Sequence, residues 1–385
     1  MTKKYLIYQK KYNNITMKRE KKMKSEKIFE NKKYEIISQN NKKITLKTIA
    51  DLAGVSPSCV TRCINNSGYV SQKKRDKIDA VMKDLHYIPN QSAKCLRGGS
   101  SKMLGYIYVV SQENIFFTKL ATWIERMSFE KGYGTISLAI PVVNEESLDK
   151  AMNLLMTYRV DGIILNLGSD IGALNVIENI VKQSVVPVVM VERSVDIFEV
   201  DKILVDNTEG SYIAVNRLLE AGHRKIVYLG VVQKELVEKE RYSGYLQAMK
   251  SAGNDYAEKH SYFVDSYSIE NGYQKCIEIV KTIEREEYPT AIFAASDILA
   301  AGVYQALNQL GVRIPEQISV IGYDDTIAEF MSPPLSTMEL PVKELSEAAL
   351  EVLIEKIENG NDSQSKRKVL IGPRFVHRNS IKELL

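Results

Sequence analysis

Polar side chains follow several short apolar stretches of this sequence, and their types suit a hydroxyl-rich ligand. They are Asn166 after GIIL, Glu192 and Arg193 after VVMV, Ser296 after AIFAA, and Asp324 after VIGY. Carboxylates, amides and an arginine can hold a sugar, because each ligand hydroxyl must exchange water for a buried hydrogen-bonding partner. The sequence therefore predicts a polar ligand site built from the ends of these stretches.

Helix capping is the alternative role for some of these positions. Ser296, Asp297 and Asp324 all precede helical patterns, where a serine or aspartate side chain can accept a hydrogen bond from the first helical N–H groups. We interpret Asp297 as a helix cap. For Asp324, and for Arg241 further along the chain, we favour contact with the ligand.

A second set of polar residues lies on one face of a helical pattern. Residues 45–66 contain two short amphipathic patterns that share an apolar face, with Gly54 between them. Ser56 can cap the second helix and Pro57 can open it, where its missing N–H has no cost. The opposite face presents Pro57, Ser58, Thr61 and Arg62, with Asn65 at the helix end. Such a helix-turn-helix can place its second helix in the major groove of DNA, although an ordinary helical hairpin gives the same pattern.

The charge of the chain changes steeply along its length. Residues 1–43 carry 14 Lys/Arg and 4 Asp/Glu, and residues 44–103 carry 10 and 4. Residues 104–385 hold 28 basic and 40 acidic residues. A basic N-terminal quarter on an acidic body is typical of a nucleic-acid-binding head on a sensor domain. We interpret residues 1–43, which are rich in Lys, Asn and Tyr, as a disordered arm.

Several classes of protein are disfavoured by what the sequence lacks. It has no apolar run long enough to span a membrane, and its N-terminus has no apolar signal region. The cysteines Cys59, Cys63, Cys95 and Cys276 show no metal-binding spacing, so we expect a reducing cytoplasm, no metal and no cofactor. There is no G-x-S-x-G, P-loop or H-E-x-x-H motif, and the four histidines are scattered, so we expect no enzyme activity.

The elements that must position the ligand site alternate from residue 103 onward. Short apolar stretches occupy residues 104–110, 134–140, 161–166, 187–192, 225–230, 290–295 and 318–323. Amphipathic helical patterns lie between them, at 117–131, 145–158, 208–221, 240–252, 269–285 and 298–310. This alternation predicts an α/β core of two doubly wound parallel-sheet subdomains, with the ligand in the cleft between them.

The domain organisation follows from these patterns. After the helix-turn-helix, residues 71–86 form a third amphipathic pattern with Ser71 as its expected N-cap, and Thr45 is the expected N-cap of the first helix. We expect an arm at 1–43, an all-α helix-turn-helix headpiece at 44–90, a hinge or linker at 91–102, and a two-lobed core at 103–385. The core would bind the effector and form the dimer.

These motifs resemble the lactose-repressor (LacI/GalR) family of bacterial transcription regulators. The resemblance runs from residue 44 to 380 and is carried by ITLKTIADLAGVS, by VSQKKRDKIDAVMKDLHYIPNQSAKCLRGG, and by PTAIFAASDILAAGVYQALNQLGVRIPEQISVIGYDD. It implies a periplasmic-binding-protein-like core and a dimer that binds a pseudo-palindromic operator through the second headpiece helix. By position, Pro57, Ser58 and Arg62 fall where the family reads bases. Cys59 and Cys63 depart from the commoner residues, and either packing or a thiol switch would explain them.

The resemblance also assigns the hinge and the effector cleft. Leu96 matches the leucine that wedges into the minor groove, and Ala93 matches a position where paired hinge helices approach closely. The matching cleft positions are Phe116, Phe117, Asn166, Glu192, Arg193, Arg241, Ser296 and Asp324, although Ser296 stands where many relatives have Asn. An aromatic face with Arg and Asp suits a sugar or sugar phosphate, and a purine is an alternative because it also stacks on phenylalanine.

The sequence thus predicts a DNA-binding transcription repressor controlled by a small effector. The predicted partners are double-stranded operator DNA, the effector and a second copy of the chain, with no membrane. Two alternatives stay open at this point. The regulator could be controlled by a partner protein, or the chain could be a free sugar-binding protein, although the basic headpiece and the missing signal peptide count against the latter.

Overall fold

The computed structural model describes residues 44–88, 99–109, 115–167, 174–191, 200–232, 236–360 and 366–384. Two compact units make up the chain, Met1–Ala93 and Lys94–Leu385. The predicted arm at 1–43 and most of the predicted hinge lie outside the described residues, so the proposed domain boundaries stay predictions. Among the described helices, none combines the length and apolar character that crossing a membrane requires.

The first unit contains three helices around a small apolar core. They are α1 (Leu46–Ala53), α2 (Pro57–Asn65) and α3 (Gln72–Asp84). Ile49, Val60, Ile78 and Val81 are buried together between the helices. Gly54 ends α1 in the left-handed conformation (φ 66°), which a glycine adopts without steric cost. The helix-turn-helix geometry expected from residues 45–66 is therefore present.

The helix caps of this unit follow the sequence, with one exception. The Thr45 hydroxyl accepts a hydrogen bond from the Thr48 N–H, and the Ser56 hydroxyl accepts one from the Cys59 N–H. Ser71 stands at the N-cap of α3, but its side chain makes no capping hydrogen bond. The helix α3 also ends at Asp84, before the expected His86. The position of the third cap is thus confirmed, and its expected hydrogen bond is absent.

The second unit alternates strands and helices, as the apolar pattern predicts. Its first half contains β1 (Met103–Val109), α4 (Phe116–Glu130), β2 (Gly134–Ile140), α5 (Glu145–Thr157), β3 (Gly162–Asn166), α6 (Leu174–Gln183), β4 (Val188–Val191), β5 (Asp201–Val205), α7 (Asn207–Glu220), β6 (Ile226–Val231) and α8 (Leu236–Ser251). Its second half contains α9 (Tyr256–Lys259), β7 (Ser261–Val264), α10 (Ile269–Thr282), β8 (Ala291–Ala294), α11 (Asp297–Gln309), β9 (Ser319–Ile321), β10 (Thr337–Glu339), α12 (Val342–Asn359), β11 (Lys368–Ile371) and β12 (Arg374–Val376).

Two parallel sheets divide this unit into two lobes. The first lobe has the strand order β11-β5-β4-β3-β1-β2, and the second lobe has the order β7-β6-β8-β9. The expected strands are confirmed to within about two residues at each end, and α8 begins earlier than its expected start at residue 240. The expected fold class, an α/β core of two parallel-sheet subdomains after an all-α headpiece, is confirmed.

The connections between the lobes lie close together. The chain leaves the first lobe after β5, and Asp206 donates its N–H to the carbonyl of Ile371 at the end of β11, 3.0 Å away. Helix α12 returns to the first lobe, where the buried Lys356 ammonium lies 2.7 Å from the Asp201 carboxylate. The short antiparallel pair of β10 and β12 flanks these connections. Residues that follow β5, β9 and β11 are therefore near the junction of the lobes.

Candidate functional site

The exposed face of α2 is the first candidate site. Pro57, Ser58, Arg62 and Asn65 are exposed, whereas Val60 on the opposite side is fully buried. Thr61 is half-buried, and its hydroxyl donates to the carbonyl of Pro57, 3.1 Å away. This separation follows from helical periodicity, because apolar residues three and four positions apart share the buried face. The polar set predicted from the sequence therefore lies on one solvent-facing surface.

The C-terminal end of α2 is fixed to α3 by an arginine. Arg75 Nη1 donates to the Cys63 carbonyl at 3.3 Å and to Asn66 Oδ1 at 2.8 Å. Asn66 itself adopts the left-handed conformation (φ 50°), which asparagine tolerates better than most residues. These bonds satisfy polar groups at the helix end and hold the exposed face of α2 in one orientation.

The two cysteines of α2 belong to its packed side. Cys63 is buried and Cys59 is half-buried, and both thiols are free. Burial raises the pKa of the Cys63 thiol, and the nearby Asp79 carboxylate raises it further. A raised pKa lowers the fraction of reactive thiolate, so packing describes Cys63 better than a redox role.

The second candidate site is a buried polar network in the second lobe, centred on Arg241 of α8. Its Nη2 donates to Asp324 Oδ1 at 2.8 Å, its Nη1 to the carbonyl of Ala295 at 2.6 Å, and its Nε to Asn207 Oδ1 at 3.0 Å. Both charged side chains are about 5% exposed. Since Asn207 follows the crossing from the first lobe, the network lies at the junction of the lobes. The structure thus joins Arg241 and Asp324 to each other, and their expected contact with a ligand stays a prediction.

The loop that carries Asp324 has an unusual backbone. Asp324 (φ 102°) and Asp325 (φ 51°) both have positive φ, which most L-residues avoid. The Asp325 carboxylate pairs with Arg378 at 2.8 Å, and Lys119 of α4 donates to the Asp325 carbonyl at 3.0 Å. The lysine comes from the first lobe, so this hydrogen bond spans the two lobes directly beside Asp324.

The N-cap of helix α11 is Ser296 and not Asp297. Ser296 is the N-cap of α11, because its hydroxyl accepts from the Leu299 N–H, whereas Asp297 is the first residue of the helix. The prediction of Asp297 as a cap is therefore wrong. Its carboxylate accepts hydrogen bonds from the Thr337 hydroxyl at 2.6 Å and the Thr326 N–H at 2.7 Å. It joins α11 to the segment that follows Asp324.

Burial dominates the electrostatics of this region. It raises the pKa of Asp297 to about 7, and the charge of Asp324 adds to that increase. Burial also raises the pKa of Asp324, but the Arg241 guanidinium opposes the change. Glu240, beside Asn207, has a pKa raised by burial as well. These carboxyl groups lie where further negative charge is unfavourable.

Sequence reasoning missed two tyrosines of this network. The Arg241 guanidinium lies 3.9 Å from the ring centroid of Tyr323, and Tyr267 is close enough for the arginine charge to influence its hydroxyl. The hydroxyls of Tyr267 and Tyr323 are buried and have no hydrogen-bond partner among the described residues. Tyr323 could have been predicted from the sequence, because it directly precedes Asp324 at the end of an apolar stretch. Tyr267 follows β7, a four-residue strand that the sequence pattern did not reveal.

The predicted effector-binding residues of the first lobe differ in their surroundings. Asn166 is fully buried at the end of β3, and neither its amide nitrogen nor its oxygen has a partner among the described residues. Phe116 is 2% exposed in the apolar core, packed edge-on against the half-buried Phe117. Four other predicted residues lie outside the described residues, namely Ala93, Leu96, Glu192 and Arg193. Their roles stay predictions.

Comparisons with known proteins match both units of the chain. A family model described as bacterial regulatory proteins, lacI family, matches residues 45–90, and a model of periplasmic-binding-protein-like domains matches residues 215–381. The chain is 32% identical over 345 residues to the transcriptional repressor PurR of Vibrio atlanticus, covering 88% of this chain and 99% of the relative. It is 33% identical over 342 residues to the ribose operon repressor of Haemophilus influenzae, with the same coverage.

Solved structures of transcription regulators are also similar to this chain. The lac repressor dimer bound to operator and an anti-inducer has a TM-score of 0.74 and 26% identity, covering 89% of this chain and all of that chain. The transcriptional regulator CelR in complex with cellobiose has a TM-score of 0.63 and 25% identity, covering 88% of this chain and all of that one. Their combination of a helical DNA-binding region with a two-lobed core is also found in this chain.

Proposed function

Because this chain belongs to the LacI family of bacterial regulatory proteins, we propose that it represses transcription as a dimer that binds an operator and responds to a sugar between its lobes. Its relatives are transcription repressors and regulators, which agrees with the expectation that it is not an enzyme. Location in the cytoplasm stays a prediction. The observation that carries the proposal is the exposed polar face of α2.

Arg62 is the residue of this face best suited to read a base. It is exposed in the second turn of α2, and a guanidinium can donate two parallel hydrogen bonds to O6 and N7 of a guanine in the major groove. Ser58, one turn earlier, is also exposed and can contact a base or a phosphate. Pro57 carries no N–H for a phosphate contact, so the target of this helix depends on its side chains.

The experiment for DNA binding begins with selection of sites from a random duplex library by the full-length chain. The enriched site should be pseudo-palindromic, because a two-fold dimer presents two copies of α2. Arg62→Ala should then weaken binding to that site by about 1–3 kcal/mol. Lys83→Ala is the matched control, since it removes an equal charge from the last turn of α3. Equal losses in the two variants would contradict a base-reading role for Arg62.

A sugar is the effector that the cleft chemistry favours. Asp324 and Asn166 offer carboxylate and amide groups, and Tyr267 offers a buried hydroxyl, all of which hydrogen bond to ligand hydroxyls. Two relatives bear on the choice, since one is named a ribose operon repressor and another is solved with cellobiose. A purine is the alternative effector, because other relatives are named PurR, and its ring would stack on Phe117 and Tyr267.

The dimer proposal is supported by apolar surface in both lobes. Strand β2 is at the edge of its sheet, and Ile136 and Leu138 on it are only half-buried. Phe129 of the neighbouring helix α4 and Phe330 of the second lobe are each about 80% exposed. Contiguous apolar surface commonly marks a contact with another chain, whereas an apolar side chain that is exposed singly is ordinary, and we infer that Phe129 and Phe330 belong to such a surface.

Sedimentation velocity of the full-length protein tests this assignment. Phe129→Glu and Phe330→Glu should shift the protein from dimer to monomer, because a carboxylate buried in an apolar interface has no compensating partner. Val185→Glu is the matched control, since Val185 is 85% exposed and follows α6. A dimer that persists in both phenylalanine variants would place the interface elsewhere.

A further inference from the structure

The charge of the cleft distinguishes two classes of sugar ligand. A sugar phosphate requires a cation that can turn towards a dianion, whereas an unphosphorylated sugar requires neutral donors and acceptors. The central cation of the cleft, Arg241, already donates to Asp324, Ala295 and Asn207. We propose that the cleft selects an uncharged, hydroxyl-bearing ligand over its phosphorylated counterpart. This inference rests on the proposed function as an effector-controlled regulator.

The ion pair of Arg241 and Asp324 is the first argument. Both side chains are almost completely buried, and the two charged atoms lie 2.8 Å apart. A phosphate that drew the guanidinium away would leave the carboxylate buried without its counter-charge, which is strongly unfavourable. A neutral hydroxyl can accept from the guanidinium edge or donate to Asp324 without separating the pair.

The charges around this pair give the second argument. Asp297 and Glu240 lie close to it, and burial raises the pKa of both carboxyl groups, so a negative charge is poorly solvated in this region. Of the cations beside Asp324, Arg378 pairs with the Asp325 carboxylate, and Lys119 donates to the Asp325 carbonyl. The phosphate dianion would therefore enter a poorly solvated region that already holds several carboxyl groups.

The neutral polar atoms without partners give the third argument. The amide of Asn166 is fully buried at the end of a central strand, with both its nitrogen and its oxygen unpartnered among the described residues. On the other lobe, the hydroxyls of Tyr267 and Tyr323 are also buried and have no hydrogen-bond partner among the described residues. Buried polar groups of this kind are unusual in native proteins unless a ligand or water satisfies them. Sugar hydroxyls both donate and accept, so they match all three side chains.

Inorganic phosphate is the first probe, and the full-length protein is the sample. Phosphate should raise the Tm of wild type, relative to chloride of equal ionic strength, only by the general amount that an excluded kosmotropic anion gives. Phosphate should stabilise Asp324→Asn by about 2 °C or more beyond its effect on wild type, because the carboxylate that pairs with Arg241 is then neutral and the arginine can bind the anion. Asparagine suits this site, since it has the shape of aspartate and tolerates a positive φ. Glu329→Gln is the control, because it removes one charge from an exposed position and should gain no phosphate response.

Equal stabilisation of wild type and Asp324→Asn by phosphate would overturn the inference, since loss of the carboxylate would then have no effect on anion binding. Failure of Asp324→Asn to respond, with a circular dichroism spectrum like that of wild type, would also contradict it. In that case the carboxylate would not be what excludes the anion.

Matched sugars are the second probe. Calorimetric titration of the full-length protein with pentoses, hexoses, disaccharides and their phosphate esters should find that the phosphorylated member of a binding pair is weaker by about tenfold or more. Tighter binding of a phosphate ester contradicts this inference alone. Absence of binding by every neutral sugar contradicts it together with the effector part of the proposed function. Operator binding in the same preparation tests the DNA-binding part separately.

Discussion

Two arginines, Arg62 in the first unit and Arg241 in the second, show how differently the two candidate sites are built. The Arg62 side chain is exposed on a helix whose own polar groups are satisfied by caps and by Arg75. Arg241 is 5% exposed and donates to three acceptors within its own lobe. The first site presents its groups to a partner, and the second has them bonded before any ligand arrives.

This difference follows from what each partner supplies. DNA brings phosphates and base edges that satisfy a long exposed side chain, so the protein needs only a rigid helix to position it. A small ligand is enclosed by the protein, and the groups around it must already be oriented and neutralised. Replacement of the arginine by alanine should therefore change a different property of the protein at each site. Loss of the exposed arginine should affect binding only, and loss of the buried one should affect folding.

The largest expected effect is that of Arg241→Ala on the stability of the second unit. The variant leaves the buried carboxylate of Asp324 without its counter-charge, which typically costs about 3–5 kcal/mol. Arg62→Ala, at an exposed position, should change the free energy of unfolding by less than about 0.5 kcal/mol. Urea unfolding of both variants measures the comparison.

A double variant separates charge from packing in this experiment. Arg241→Met with Asp324→Asn removes both charges while keeping much of the volume, so it should recover a large part of the lost stability. Equal destabilisation by the single and double variants would mean that the loss comes from packing. The difference in stability between Arg241→Ala and Arg62→Ala would then not be caused by a buried charge.

The fold was predictable because its signals are local. Ser56 and Pro57 mark the start of α2 within the sequence itself, and the continuous apolar stretches mark the buried parallel strands. The four-residue strand β7 was missed because it is short, and three of its four residues are only half-buried. Ser71 shows the limit of local reasoning, since the right residue at the right place makes no capping bond.

The cleft was predictable only in part because its bonds are long-range. Arg241 and Asp324 were found, but the sequence could not show that they bind each other across 83 positions. The carboxylate of Asp297 is turned from its expected cap towards Thr337, 40 residues away. Tertiary partners of this kind leave no local pattern. They also decide which groups remain available to a ligand.

Two glycines give the next largest contrast between the units. A Cβ on Gly244 of α8 would overlap the carbonyl oxygen of Thr208 on α7, so Gly244→Ala should destabilise the second unit by about 2–3 kcal/mol. Gly54 has open space around it and is needed only for its positive φ. Gly54→Ala should therefore cost about 1 kcal/mol, and Gly54→Asn less, because asparagine tolerates that conformation. Equal costs at the two sites, measured by thermal unfolding, would contradict this distinction.

Acid should weaken the second unit through His223. Its Nε2 donates to the Lys382 carbonyl at 3.0 Å, and its Nδ1 lies 2.9 Å from the Thr290 hydroxyl oxygen. Burial lowers its pKa below the ordinary value of 6.5. At this histidine the unfolded chain binds a proton more readily than the folded one, so the contribution of His223 to stability is lost as the pH falls below about 6.5. Asp297, whose pKa burial raises to about 7, contributes in the opposite direction over the same range.

The variant His223→Gln tests this dependence by denaturant unfolding at several pH values. Relative to wild type, the variant should lose less stability, or gain more, as the pH falls below about 6.5. The difference between the two profiles isolates His223 from His260 and Asp297, whose pKa values are also shifted. His86→Asn in the first unit is the control, since His86 is exposed and asparagine tolerates its positive φ. An unchanged pH profile in His223→Gln would exclude this histidine as the source.

The smallest expected effect compares two serines within the first unit, at positions that the sequence treats alike. The Ser56 hydroxyl accepts the N–H of Cys59 at the start of α2, so Ser56→Ala should cost about 1 kcal/mol. Ser71 makes no capping bond at the start of α3, so Ser71→Ala should stay within about 0.5 kcal/mol of wild type. Amide hydrogen exchange of the first turns of α2 and α3 in the full-length chain resolves the two helices separately. A loss of protection in α3 as large as that in α2 would show that the Ser71 hydroxyl does cap its helix in solution.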